Sequence, residues 1–431
     1  MLSRVRGLGT FTALRYRDYR ELWWATIWAD SARWALLVVL GWQTYTLSGS
    51  SLWVGITVFA NMVPLFLFAP LGGFLADRFD RRKLAASSMG VNVGLTLALF
   101  GLTAFGYIQA WHVATVAFGV GMSQAVFMPT VSALLPNLVP RDVLLNAVAL
   151  RAVSLRGTRI IGPGLSGPLL ATLGPVGGLG LVAALYATAA LQLLRIHASG
   201  RETAERATSG SFLGDFVLGF TYVYRHQTVA AVIILTALHC GLTMAFDSML
   251  PAFSTVALKA GGAVFSYLVV SLGVGAVLGS LAIASVSDER RKGQLFLFTG
   301  LFSGLTLAAL AFAPSFPLAL LLIAGVGASQ GAFMALSQAF VQGIIPDHVR
   351  GRISSVYAMH TGGVMAFLNL AYGYTADIWG APSIFLMTGL IFVGLMVVLS
   401  MSWPVLRRVY RTGAGVATPR EAGAPLAGLE S

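Results

Sequence analysis

A ten-residue phrase occurs twice in this chain, 206 residues apart: Gly119-Val-Gly-Met-Ser-Gln-Ala-Val-Phe-Met128 returns as Gly325-Val-Gly-Ala-Ser-Gln-Gly-Ala-Phe-Met334. Gly94-Leu-Thr-Leu-Ala98 likewise returns as Gly304-Leu-Thr-Leu-Ala308, and Arg81-Arg-Lys83 as Arg290-Arg-Lys292, at offsets of 210 and 209. The 431 residues are therefore two homologous halves in the same orientation. The chain is 57% hydrophobic and only 10% charged, against roughly 25% charged in a soluble domain. Apolar runs of about 20 residues, the length that crosses ~30 Å of hydrocarbon as helix, number about twelve, from Glu21–Ser48 to Ser383–Trp403. A parallel repeat in so apolar a chain predicts an all-α membrane protein. Twelve transmembrane helices would form two pseudo-symmetric six-helix bundles around a central site, the plan of a transporter.

Charge placement sets the topology. With alternating helices, 23 of the 28 Lys and Arg fall in loops and tails on one side, Lys259 stands alone on the other, and four lie inside spans. By the positive-inside rule the 23 are cytoplasmic, and so are both termini of a multi-pass protein of the cell membrane. The net charge of +12 then serves topology and anionic headgroups and asks for no nucleic acid. The expected division is residues 1–20 as a cytoplasmic N-terminal segment and 21–196 as the N-terminal bundle. Residues 197–228 follow as a cytoplasmic linker whose Phe212–Tyr224 lies along the membrane surface, then 229–403 as the C-terminal bundle and 404–431 as a disordered tail. The basic N-terminus leads into a full-length span without a small-residue cleavage site, so it does not read as a cleavable signal. Cys240, the one cysteine, lies in an apolar run and points to neither disulfide, metal nor redox chemistry. No phosphate loop, metal-spaced cluster or nucleophile–base pair argues for an enzyme, and no cofactor is expected. Pumping would then draw on an ion gradient.

Between the second and third spans runs Gly72-Gly-Phe-Leu-Ala-Asp-Arg-Phe-Asp-Arg-Arg-Lys83. A solvated basic loop explains its arginines but not the Gly-x-x-x-Asp ahead of them. The loop resembles the signature of the major facilitator superfamily, Gly-x-Leu-Ala-Asp-Arg-x-Gly-Arg-Arg, through Gly73, Leu75, Ala76, Asp77, Arg78, Arg81 and Arg82, with Asp80 where glycine is usual. Gly73 allows close helix approach, and Asp77 offers an anion to the positive end of another helix. The resemblance implies that this partner is the eleventh helix, starting at Arg350, and that the loop is a cytoplasmic latch for the outward-facing state. Leu14-Arg-Tyr-Arg-Asp-Tyr-Arg20, Leu135-Pro-Asn-Leu-Val-Pro140 and Pro346-Asp-His-Val-Arg-Gly-Arg352 resemble the exporter branch that includes enterobactin exporters and macrolide-efflux proteins. In helix five, Gly162-Pro163-Gly-Leu-Ser-Gly167-Pro168 is similar to the Gly-Pro-x-x-Gly-Gly element of drug/proton antiporters, with Ser166 and Thr158 standing where that element has glycine. A proline kink in a tightly packed span accounts for the same residues.

An ionised side chain exposed to hydrocarbon costs at least ~2.5–3.5 kcal/mol, so charges within spans need a partner or a cavity. Asp30 and Arg33 lie three apart in helix one, close enough to pair. Arg156 and Arg159 share that spacing in helix five, with Arg151 nearer the cytoplasm and placed to snorkel. Asp247 and His239 lie in helix seven, and at the 206-residue offset His239 takes the position of Arg33. Asp30, Asp247 and His239 are the proton-coupling candidates. Arg33, Arg156 and Arg159 are their charge partners or attract an anionic substrate. Structural ion pairs are the plain alternative, and His239 reads more readily as a hydrogen-bonded core residue. Gln43, Asn61, Ser123, Gln124, Ser329, Gln330, His360 and Asn369 add polar groups at membrane depth. They could line a cavity or make interhelical hydrogen bonds of ~0.6 kcal/mol each. The expected protein is a monomeric, proton-driven exporter of amphipathic small molecules of drug or siderophore class. A lysophospholipid flippase or a small-solute importer would share its fold, whereas a channel leaves the latch loop unexplained.

Overall fold

The computed structural model describes residues 11–197, 212–346 and 349–413, and these are helical with no strand among them. The first half comprises α1 (Arg17–Ser48), α2 (Ser51–Leu67), α3 (Ala69–Arg78), α4 (Arg81–Ala104), α5 (Ala110–Leu134) and α6 (Leu144–Leu194). After α7 (Phe212–Arg225), the second half runs through α8 (Gln227–His239), α9 (Leu250–Ala252), α10 (Gly262–Ala284), α11 (Glu289–Leu310), α12 (Phe316–Ile344), α13 (Arg350–Trp379) and α14 (Ala381–Ser402) to α15 (Pro404–Thr412). Among the described residues, eight helical segments are long and apolar enough to cross a membrane, or nine if α2 and α3, bent by 55°, count as one.

The breaks between helices follow from particular residues. Asp80 caps α4 by accepting from the Lys83 N–H at 3.1 Å. The 51-residue α6 is two rods, because Gly174 leaves helical geometry (φ 62°, ψ −160°) and Pro175 follows it. Gly380 (φ 78°), with Pro382 behind it, makes the matching break between α13 and α14, 206 residues on. Gly49 (φ 65°) ends α1 in the left-handed region, and 210 residues later Lys259 (φ 50°) does the same without glycine's freedom. The repeat reaches down to single backbone angles.

Small residues bring the backbones together. A Cβ at Gly162 would meet the Ser31 carbonyl, so α6 lies tight on α1; one at Gly327 would meet the Leu272 carbonyl, so α12 lies tight on α10. In lipid such packing stands in for the hydrophobic drive that joins helices in water. The halves meet along two seams, α2 on α13 and the first rod of α6 on α10. Under the repeat α2 corresponds to α10 and the first rod of α6 to α13, so the seams are equivalent.

Three stretches differ from the expected division. The segment before span one is stapled down: α1 begins at Arg17, the Ala13 N–H donates to Asn146 Oδ1 at 3.0 Å, and the Tyr19 hydroxyl donates to the Ala147 carbonyl at 2.7 Å. Helix α7 packs on α13, where a Cβ at Gly219 would meet the Arg352 carbonyl, so protein covers part of its surface. The expected disordered tail opens with α15, because Leu406, Val409 and Tyr410 recur at helical spacing and are buried together. The rest of the tail (414–431), the linker from 198 to 211, residues 1–10 and the pair 347–348 lie outside the described residues.

Candidate functional site

The charges of the first half do not pair as their spacing suggested. Asp30 meets Arg151 of α6 at 2.6 Å instead of Arg33, and the two side chains are 3% and 17% exposed. Tyr19 touches Ala147 and Ser31 touches Gly162, so Arg151 lies nearer the basic end than Asp30. Its stem therefore runs towards the membrane centre, the reverse of snorkelling. The contact is short but poorly angled, and Asp30 Oδ2 and an Arg151 terminal nitrogen keep unmet hydrogen-bond capacity. Beside them the Tyr186 hydroxyl lies next to Gln124, within electrostatic reach of Asp30 and Arg33. Gly180 against Phe100, and Arg82 on the Ile196 carbonyl, set the register of α4 on α6 and bring Asn92 level with Tyr186. The side-chain polar atoms of Asn92, Gln124 and Tyr186 find no well-directed hydrogen bond among the described residues. The first half thus encloses one carboxylate, with the Tyr186 hydroxyl in electrostatic reach of it and further buried polar groups on α4 and α5.

A second charged group sits in the seam between the halves. Arg159 and Asp247 face one void of about 40 Å³ with Trp34, Leu250 and Phe265, without closing to an ion pair. Arg33 and Arg159 lie 5.1 Å and 4.9 Å from the centre of the Trp34 ring, each contact contributing about 0.5–2 kcal/mol. Asp247 reaches the void because its helix fails. Helix α8 passes into π-helical turns at Cys240–Met244 and Phe253–Ala257, with a non-helical stretch at 245–249 between them. Asn369 steadies that stretch: its Oδ1 accepts from the Ser248 N–H at 3.1 Å, and its carbonyl from the Ser248 hydroxyl at 2.9 Å. Pro163 has no N–H to offer the Arg159 carbonyl, which lies instead against Gly273 of α10. The Ser266 hydroxyl donates to the Pro163 carbonyl at 2.6 Å, and a Cβ at Gly167 would crowd that hydroxyl. Gly162 thus serves contact with α1, and Gly167 contact with the other half.

Towards the basic end the seam widens into a cavity of about 240 Å³, lined by Arg156, Arg159, Met244, Gln330, Met334 and Gln338 among others, with no carboxylate among the described residues. Gln330 Nε2 donates to the Thr243 carbonyl at 2.6 Å.

The two ends of the seam are in different states. Away from the basic loops, Asp377 of α13 accepts from the Ser50 hydroxyl and from the N–H groups of Ser51 (2.5 Å) and Leu52 (3.1 Å) at the start of α2. A carboxylate of one half caps a helix of the other, and Gly373 against Ser51 closes the gap beside it. At the basic end, Asp77 is 56% exposed and pairs with Arg81 of its own loop at 3.6 Å, not with the start of α13. Arg81 also donates to the Ala76 and Ala133 carbonyls, both at 3.1 Å, and Arg82 to the Ile196 carbonyl at 2.5 Å. Arg78 covers the Phe74 ring at 4.3 Å. The loop arginines therefore hold carbonyl ends of first-half helices while the carboxylate is disengaged from the second half. Nothing lies where a Cβ on Gly73 would project; Gly72 makes the close approach, against the Ala125 carbonyl of α5.

The other candidates are placed as follows. His239 is in the second-half core, its Nε2 3.1 Å from the Ser303 hydroxyl and its ring stacked on Phe333 at 4.1 Å. Its side chain turns into this core among Ser303, Phe333 and Phe392, so His239 does not mirror Arg33 at the seam. His360 faces α7, 2.9 Å from the Tyr224 hydroxyl. Gln43 donates to the Thr103 hydroxyl at 2.7 Å, Asn61 to the Ala117 carbonyl at 3.1 Å, and Ser123 to the Ser88 carbonyl at 2.8 Å, all between helices. Ser329 donates within its own helix. Of the polar candidates Gln330 lines the open cavity, and Asn61 borders a small void beside Arg33. Sequence reasoning missed Arg151 as the partner of Asp30, and it missed Asp377. The signal for Asp377 was an acid at the end of a span, facing the Ser50-Ser51 start of another.

Two equivalent seams, clasped at one end and widening into a cavity towards the other around membrane-depth charges, fit a multi-pass membrane transporter of the major facilitator superfamily, and the family match below shows it. The chain belongs to the transmembrane secretion effector family, which matches residues 8–412. It is 24% identical over 399 residues to the multidrug efflux pump Tap of Mycolicibacterium fortuitum, covering 89% of this chain and 95% of that one. It is 27% identical over 325 residues to the enterobactin exporter EntS of Escherichia coli O81 (strain ED1a), covering 73% and 74%. The crystal structure of the nucleoside transporter NupG shares the fold, with a TM-score of 0.70 at 14% identity over 91% of this chain and 99% of that one. Proteins of this family move small molecules and are not enzymes.

Proposed function

We propose that this protein is a proton-coupled exporter of amphipathic small molecules, of the drug or siderophore class, working by alternating access in the cell membrane as a monomer. In this reading twelve spans arise from the helices above: α6 supplies two, α2 with α3 one, the broken run from α8 to Phe253–Ala257 one, and α1 and α13 cross despite their polar residues. The basic end and both termini face the cytoplasm, and the structure is the inward-open state. The likeness to a drug pump and a siderophore exporter supports the direction of transport.

The observation that carries the coupling is the Asp30–Arg151 pair, 2.6 Å long and enclosed in the first half. Protonating Asp30 removes the charge that draws the Arg151 stem inward, and the Tyr186 hydroxyl lies within electrostatic reach of that change. Arg156 and Arg159 follow Arg151 on the same rod by five and eight residues, hence about 8 and 12 Å along it. A change at Asp30 thus reaches the cavity arginines through one helix, while those arginines favour substrates carrying an anionic group.

In proteoliposomes carrying an amphipathic fluorescent dye, Asp30→Asn should abolish uphill export driven by a pH gradient and retain downhill exchange. Arg151 can extend to the headgroups once unpaired, so the variant should still insert and fold. Uphill export by the variant would transfer the role to Asp247. Export by the wild type that survives collapse of the proton gradient would end the proton mechanism.

A further inference from the structure

A broad groove lies away from the seam. It has a volume of about 970 Å³ and runs between α11, α14 and α15 at the basic end, within the range of small-molecule sites. Helices α11 and α14 pack on one another and make no substantial contact with the first half, so the groove faces the membrane. Its rim carries Arg290, Arg407 and Arg411, and no carboxylate among the described residues lines it. The acids beside Arg290 in sequence are engaged elsewhere: Asp288 holds Arg291 at 3.6 Å and Glu289 holds Lys292 at 2.6 Å. Arg407 donates to the Met401 carbonyl, which steadies its guanidinium over the groove and leaves further N–H donors for a ligand.

The floor is apolar. Phe298 and Leu301 come from α11 and Met401 from the end of α14, with Phe298 59% and Met401 70% exposed. Phe298 lies nine residues into α11, about 14 Å from the charged end. The third wall is fixed: α15 turns Leu406, Val409 and Tyr410 inward, and Gly293 of α11 admits the Val409 carbonyl where a Cβ would block it. Three guanidiniums at the level of the helix ends, above an apolar trough running into the bilayer, match an amphiphile with an anionic head and hydrocarbon chains.

We infer that this groove binds an anionic glycerophospholipid of the basic-side leaflet, its phosphodiester held by Arg290, Arg407 and Arg411 and its acyl chain lying along Phe298, Leu301 and Met401. Such sites arise where basic side chains gather between spans on the cytoplasmic face.

The test uses the full-length protein in detergent, with phosphatidylglycerol and phosphatidylcholine of identical chains supplied in competition and the retained lipid measured by native mass spectrometry. Wild type should retain phosphatidylglycerol preferentially, and each of Arg290→Gln, Arg407→Gln and Arg411→Gln should lower that preference roughly fivefold. Arg408→Gln, on the same helix but outside the groove, should leave it unchanged. Met401→Trp, which fills the trough and spares the charges, should also expel the lipid, so a role for charge alone is separable. Equal retention in wild type and the arginine variants overturns the site, as does glycerol phosphate competing as well as the intact lipid. A chain ending at Gly413 that binds phosphatidylglycerol while the full chain does not would show that the tail, with Glu421 and Glu430, is the occupant instead.

Discussion

Replacing Asp377 by asparagine should open the end of the transporter that is shut in this structure. The carboxylate accepts three hydrogen bonds from the start of α2, one from the Ser50 hydroxyl and two from the Ser51 and Leu52 N–H groups. Asparagine keeps one acceptor oxygen and loses the charge that opposes the positive end of α2. Charge-assisted hydrogen bonds contribute about 1.5–3 kcal/mol, and a charge at an exposed helix end about 0.3–1 kcal/mol. Asp377 is solvent-exposed, so screening holds the combined loss to about 1–2 kcal/mol. That is a factor of about 5–30 in the ratio of closed to open at this end. Val54, 1% exposed at the seam, reports the opening when replaced by cysteine in a Cys240→Ala background. Its labelling by an impermeant maleimide from the side away from the basic loops should rise ~5–30-fold with Asp377→Asn. An unchanged rate in a normally expressed variant would refute the idea that this clasp sets the equilibrium.

Asp77→Asn should fold and insert normally yet cripple transport. It should also lower Val54→Cys labelling, because it weakens the state in which the latch would engage. A normal transport rate at normal expression would remove the latch role. The orientation is checked at Lys259, the isolated cation opposite the basic loops: Lys259→Cys, again with Cys240 replaced, should react with an impermeant thiol reagent added outside intact cells. Reaction only from the cytoplasmic side would invert the topology.

The two-half plan was legible because identical phrases, glycine turns and proline positions are local in sequence. Gly174 and Gly380 mark the same hairpin, and both adopt positive φ. The latch loop was legible as a motif, but its glycine was not: Gly72 and Gly73 are adjacent, and which one meets α5 depends on the pitch of α3. The Asp30–Arg151 pair was hidden for a different reason. Spacing along one helix reveals neighbours such as Asp30 and Arg33, whereas Arg151 lies 121 positions away and comes within reach only through the packing of α1 on α6. The same limit concealed Asp377, whose partners are more than 300 positions distant. For polar residues at membrane depth, the choice between cavity lining and interhelical hydrogen bonding stayed open. Sequence gives depth but not the direction in which a side chain points, and Gln43, Ser123 and Asn369 point into neighbouring helices.

What the repeat does not duplicate is more informative than what it does. Both halves carry the Gly-x-Gly-x-Ser-Gln phrase, yet Gln124 lies beside Tyr186 while Gln330 lines the open cavity. Helix α1 stays regular through Asp30 and Arg33, whereas its counterpart breaks into π-helical turns around Asp247. In the first half, Arg151, Arg156 and Arg159 share one rod; its counterpart, α13, bears His360 and Asn369, engaged with α7 and with the broken helix. A symmetric scaffold supplies two equivalent seams on which the halves can rock. In the mechanism proposed above, the asymmetric charges would give the motion a direction, with one carboxylate enclosed in the first half and the other at the seam. If proton and substrate occupy these separate places, α6 is the element common to both. Damage to its packing at Gly162 should uncouple them more than damage to the corresponding surface of α13.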